Sequence, residues 1–144
     1  MPTPSPSLMP ITAGIFAAFV CCAFPAIAQD AAVCEVKVSG TENSVEIKRS
    51  SDPFALNTRD LEGGFRFSAQ VYQDPKTGQS KLKTFTYHQS KNRYVLVHAS
   101  ESSIDAASCQ TSKNAFGLQR VYSHKFEREL SFSCKAVCAT GSSQ

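Results

Sequence analysis

The chain reads as a small α+β domain: an antiparallel sheet of five or six strands built on a meander, with one short helix before the last strand and two disulfides. Three observations predict this. Short segments of alternating apolar and polar residues recur along the chain, separated by turn-forming residues. A stretch rich in Ala and Ser, Ser103–Cys109, interrupts the alternation with a helical composition. Four cysteines follow an apolar leader, an even number suited to an oxidising compartment. An all-β sandwich or barrel is the alternative arrangement.

The leader is the apolar run Ile11–Ala28, free of charged residues and ending in Ala26-Ile27-Ala28. Small residues at Ala26 and Ala28 suit signal peptidase, and Pro25 breaks the run just upstream. Residues 1–28 are therefore expected to be a cleaved secretory signal, leaving 29–144 as a single exported domain. A retained anchor is the alternative, but the run is short for a bilayer. The head Met1–Leu8 lacks Lys and Arg, so the positive charge is expected from the amino terminus, with Met9 as an alternative start. Neither Cys21 nor Cys22 sits in a lipidation pattern. Style and length lean towards a bacterial protein that is periplasmic or secreted.

Val33–Ser39 alternates, with Cys34, Val36 and Val38 on one face, and predicts a half-buried strand. Gly40 and Asn43 bracket a turn, and Ser44–Lys48 repeats the alternation through Val45 and Ile47. Arg49–Gly64 has no period and reads as a surface loop, with room for one helical turn. Phe65–Tyr72 places Phe65, Phe67, Ala69 and Val71 on one face. Asp74-Pro75-Lys76-Thr77-Gly78 then forms a hairpin turn: Asp opens it, Pro presets φ and Gly takes the left-handed position. Lys81–His88 returns, Gln89–Asn92 turns again, and Arg93–Ala99 is the next strand. Ser102 or Ser103 is placed to cap the helix and Gly117 to end it. Val121–Cys134 is the last alternating segment, with Phe126, Leu130, Phe132 and Cys134 sharing a face; His124–Leu130 could instead be helical.

The natural hairpin registers pair Gln73 with Ser80 and His88 with Arg93. One face of the meander is then Phe65, Phe67, Ala69, Val71, Leu82, Val95 and Val97, a core. The other carries Arg66, Tyr72, Lys81, Lys83, Phe85, Tyr87, Tyr94, Leu96 and His98. That is too apolar for an ordinary solvated sheet. Either the helix or a terminal strand covers its middle while the lysines snorkel at the rim, or it is an exposed aromatic and basic platform. A register slip of one residue exchanges the two faces.

Catalytic and metal signatures are weak. Cys134 and Cys138 are not spaced as a redox C-x-x-C pair, and on a strand they lie about 13 Å apart, too far for a bridge. The favoured pairing is Cys109–Cys134 with Cys34–Cys138. No zinc-ligand spacing, serine elbow or phosphate loop is found. His88, His98 and His124 are separated by the expected register, and Glu127 and Glu129 suit a charged outer face. The net charge of +3 is far from that of a dedicated nucleic-acid binder.

The functional expectation is a non-enzymatic binding module, inhibitor- or adaptor-like, without cofactor or metal. Its binding residues are expected to be Arg66, Tyr72, Lys81, Lys83, Tyr87 and Tyr94; Cys34, Cys109, Cys134 and Cys138 form the disulfides. The expected partner is a protein or an anionic or carbohydrate-like envelope component, not nucleic acid, with no stable membrane span after cleavage. The alternatives are an envelope assembly component and, behind it, a small hydrolase.

Overall fold

Alternation makes the first hairpin. In β1 (Ala31–Val38) every second residue, Ala32, Cys34, Val36 and Val38, is buried. The strand turns through Ser39 and Gly40, both at positive φ (49° and 91°), and Val38 pairs with Thr41 at the start of β2 (Thr41–Ser50). A two-residue turn with both φ values positive matches the twist of antiparallel strands. The computed structural model describes residues 31–110, 116–123 and 127–138; the expected signal 1–28, His124 and Phe126 lie outside the described residues.

Beyond β2 the chain forms β3 (Asn57–Asp60), a 3-10 turn at Glu62–Gly64, β4 (Phe65–Gln73), β5 (Ser80–Ser90), β6 (Arg93–Ile104), one helical turn α1 (Ala106–Gln110), β7 (Leu118–Ser123) and β8 (Arg128–Val137). The strand order is β6-β5-β4-β2-β1-β8-β7, with β3 paired to β4. The two halves join where β2 meets β4 in parallel through two pairs, Arg49 with Val71 and Ser50 with Tyr72. β3 occupies the first part of the same edge of β4, antiparallel. The sheet curls into a nearly closed barrel with β6 and β7 at its open ends. Across the interior, Phe67 of β4 lies 5.0 Å from Phe132 of β8, and His98 of β6 stands edge-on to Phe132 at 5.9 Å. One apolar cluster fills the barrel, drawn from β1, β2, β4, β5, β7 and β8.

The α+β expectation is thus overturned: the described chain is nearly all β, a barrel-like sheet of eight strands. The first two residues of the expected helix, Ser103 and Ile104, are strand, and Ala106–Cys109 are helical. β6 runs to Ile104 because β5 offers it a long edge, on which Thr84 pairs with Ser100 and their hydroxyls hydrogen-bond at 2.7 Å. Pairing with β5 claims Ser103 and Ile104, and the Ala-Ala-Ser stretch after Asp105 keeps its helical turn. The helix described is Ala106–Gln110, and its cap is Asp105, not Ser102 or Ser103. The Asp105 carboxylate accepts the Ser108 N–H and the Ser108 hydroxyl accepts the Asp105 N–H, both at 2.8 Å, a reciprocal capping box.

Three further expectations are corrected. The segment Val121–Cys134 is two strands, not one: β7 ends at Ser123, Glu127 turns at φ 48°, and β8 begins at Arg128, so Arg128–Leu130 is strand rather than helix. The loop Arg49–Gly64 contains β3. The second hairpin closes at Ser90–Arg93 rather than His88–Arg93, and a bulge then moves the ladder one more residue, so that Thr86 faces His98. The first hairpin has the expected register, Gln73 with Ser80.

Both disulfides form, with a pairing other than the favoured one. Cys34 and Cys134 are direct partners on β1 and β8, 4.0 Å apart at Cα, inside the core. Cys109 in α1 bonds to Cys138 just beyond β8, with Cα atoms 5.6 Å apart. Antiparallel β1 and β8 bring Cys34 opposite Cys134, which leaves the partly exposed pair to each other. Two disulfides fit an oxidising, extracytoplasmic environment. No helix among the described residues is long and apolar enough to cross a membrane.

Candidate binding surface

On β4 and β5 the pleat sends odd and even positions to opposite faces. Phe65, Phe67, Ala69 and Val71 point into the barrel, so Arg66, Ser68, Gln70 and Tyr72 point out. The β4–β5 register sets Arg66 opposite Tyr87, Ser68 opposite Phe85, Gln70 opposite Lys83 and Tyr72 opposite Lys81. Tyr87 faces Leu96 on β6, and Tyr94 lies beside Gln89. The six expected binding residues therefore share the outer face of β4–β6. His98 leaves that face, because the bulge turns it towards Phe132.

Ion pairs that hairpin reasoning did not foresee hold this face in place. The Asp60 carboxylate on β3 accepts two hydrogen bonds from the Arg66 guanidinium, at 2.5 and 3.0 Å. Arg66 also lies over the Tyr94 ring, 3.9 Å from its centroid, a cation–π geometry. Glu101, placed outward by the bulge, accepts from Lys81 at 2.6 Å and lies 3.7 Å from Lys83. Lys83 sits 5.3 Å from the Tyr72 ring centroid. The Arg66 hydrogen bonds hold the Asp60 carboxyl below the usual carboxylate range, and the Lys81 hydrogen bond does the same to Glu101. Glu101 in return raises the Lys81 ammonium above its ordinary value. Two lysines share the Glu101 carboxylate, and the nearby Asp74 also acts on Lys81.

The rings and stems of Tyr72, Lys81, Lys83, Phe85, Tyr87 and Tyr94 are half-buried against one another, and Leu96 is 49 % exposed. The helical turn packs beside β6 and β8. What reaches over the outer face is the loop after β2: Gln70, 2 % exposed, donates its side-chain N–H to the Asp52 carbonyl at 2.6 Å. The same loop holds up Phe54, 86 % exposed. Nothing in a stretch without period distinguishes an exposed phenylalanine from a buried one.

The remaining candidates lie apart from this face. His88 is buried edge-on against Phe65 at 5.0 Å. Glu129 lies 3.6 Å from Arg120, and Glu127 and Glu129 border a groove of about 390 Å3 with Lys37, Ser39, Arg128 and Ser131. Among the described residues no group of three or more His, Cys, Asp or Glu is placed to hold a metal ion. No family model, curated protein or solved structure matches the chain.

Proposed function

We propose that the chain is an exported, non-enzymatic binding module, inhibitor- or adaptor-like, acting in the periplasm or secreted fluid through the outer face of β4–β6. One observation carries the reading: aromatic rings and basic groups on adjacent strands are locked in position by Asp60 and Glu101 while their outer surfaces stay open to solvent. Ordering such side chains in advance lowers the entropy lost on binding, and Tyr and Arg are the residues that most often dominate contact energies. The partner is a protein with acidic groups at its rim, set against the basic side chains Arg66, Lys81 and Lys83.

The test is capture from envelope extract and culture medium with the oxidised, exported protein and with its Lys83→Ala, Tyr87→Ala double variant. A partner retained by the first and lost by the second, with the variant still folded, supports the reading. A partner indifferent to the change reduces the face to barrel exterior. A second reading, an assembly component of the envelope, draws on β6: it ends the strand order, and Val95, Leu96 and Val97 are all exposed along it. An open apolar edge invites strand pairing. Sizing at micromolar concentration separates the two, since only assembly predicts a stable oligomer of the chain alone.

A further inference from the structure

The two disulfides differ in what they join. Cys34 and Cys134 are buried on strands that are already paired to each other. Cys109 is exposed in α1, the helical turn that follows β6 and precedes β7, and Cys138 lies just beyond β8. Because β6 and β7 end the strand order, this second bridge ties the end of β6 to β8 across the opening of the barrel. A single helical turn is too short to be stable by itself, and its capping bonds run between its own Asp105 and Ser108. The hydroxyl bond between Thr84 and Ser100 pins β6 to β5 just before this end. Residues 101–104 run from that pin to the bridged helix.

We propose that Cys109–Cys138 is a redox clasp on the outer face of β4–β6: closed, it holds the end of β6 and with it Glu101 in place, and opened by a dithiol it frees that end, so that Lys81 and Lys83 lose their fixed partner. The inference rests on the binding-module reading and adds its regulation. Glu101 is the link, since it lies between the Ser100 pin and α1, accepts from Lys81 at 2.6 Å and stands 3.7 Å from Lys83. Opening is ordinary thiol–disulfide exchange. A thiolate of the dithiol attacks Sγ of exposed Cys109, forms a mixed disulfide and releases Cys138 as a thiolate, which takes up a proton. The second thiol of the dithiol then attacks its own mixed-disulfide sulfur and releases Cys109. Two electrons pass, the dithiol leaves as a disulfide, and both cysteines are reduced. The lysine side chains then have to be ordered on binding, which weakens the partner's hold.

Dithiothreitol serves as the dithiol, added to the oxidised protein, and the Cys109→Ser, Cys138→Ser double variant is the permanently open form. Alkylation should find Cys109 and Cys138 reduced at about a tenth of the dithiothreitol that opens Cys34–Cys134. In the opened protein and in the variant, amide exchange over residues 101–110 should quicken about tenfold or more while β1 and β2 keep their protection. The Glu101 carboxyl should titrate closer to the ordinary carboxylate range. Exchange and titration that stay as in the oxidised protein overturn the clasp. So does protection lost in every strand at once, which makes the bridge a staple of the whole fold. Capture then separates the clasp from the reading beneath it. A partner lost with the Lys83→Ala, Tyr87→Ala variant should also be held about tenfold more weakly by the opened protein. A partner lost with that variant but held equally by the closed and opened protein leaves the face standing and overturns its control. A partner indifferent to both changes, or no partner at all, overturns the face and its control together.

Discussion

The two walls of the barrel differ in what they send inwards. β1, β2 and β8 contribute Ala32, Val36, Val38, Val45, Ile47, Leu130 and Phe132, with the Cys34–Cys134 disulfide among them. β5 contributes Leu82 among Ser80, Thr84, Thr86 and His88, and β6 adds His98. The first wall is dry and covalently stapled. The second is polar within and aromatic and basic without. Of the strands that carry the candidate surface, β4 sends Phe65, Phe67, Ala69 and Val71 into the core, while β5 and β6 back it with a polar interior. Binding surfaces tolerate change when the residues that hold the fold are elsewhere.

The disulfides offer the largest test of that contrast. Cys34–Cys134 spans 100 residues and is nearly fully buried; Cys109–Cys138 spans 29 and its first cysteine is exposed. Replacing Cys34 and Cys134 together by Ala should cost about 4.7 kcal/mol, and replacing Cys109 and Cys138 about 3.6 kcal/mol, by urea unfolding. Under a mild thiol reductant, alkylation should mark Cys109 and Cys138 well before Cys34 and Cys134. Equal costs and simultaneous labelling would remove the distinction between the walls.

A smaller effect of opposite sign is expected on the polar wall. Thr86 is fully buried and, among the described residues, its hydroxyl has no hydrogen-bond partner. It faces His98 on β6, whose Nδ1 also lacks one among the described residues. An unsatisfied buried hydroxyl costs about 1–3 kcal/mol, so Thr86→Val, which keeps the shape and removes the polar atom, should stabilise the protein by about 1 kcal/mol. A destabilised variant would mean that the hydroxyl finds a partner in solution and that this wall is better satisfied than its geometry indicates.

The same contrast explains how much of the molecule is legible from residues alone. β1 declares itself because Cys34, Val36 and Val38 alternate against a dry interior. The β4–β5 hairpin follows from Asp74, Pro75 and Gly78, and with it the outward placement of Arg66, Tyr72, Lys81 and Lys83. The second hairpin is lost because its turn is tighter and Val97 is inserted into the ladder; a bulge leaves no mark on an apolar run. Glu101 is missed for that reason, since only the bulge and the extension of β6 bring it beside Lys81. β3 escapes because Asn57-Thr58-Arg59-Asp60 has no apolar face, and Asp60 goes with it. The start of the helix is misplaced because β5 extends its pairing with β6 to Ile104, so that Asp105 rather than Ser102 or Ser103 caps the helical turn.

The smallest expected effect concerns the ion pairs of the outer face. Folding lowers the pKa of Asp60 and Glu101, so their contribution is present above the ordinary carboxylate range near pH 4 and is lost as pH falls through the folded values. Folding raises the pKa of Lys81, so its contribution is complete below the ordinary lysine value and disappears as pH rises through the folded one. Between those limits the pairs are constant. They are also solvent-exposed, where ion pairs orient side chains more than they stabilise folds. Lys81→Met should therefore raise the Glu101 pKa in a carboxyl NMR titration, only in part because Lys83 remains 3.7 Å away, and leave the unfolding midpoint unchanged at neutral pH. A midpoint that falls with the substitution would make the outer network part of the foundation of the barrel, and the division of labour between the walls would not hold.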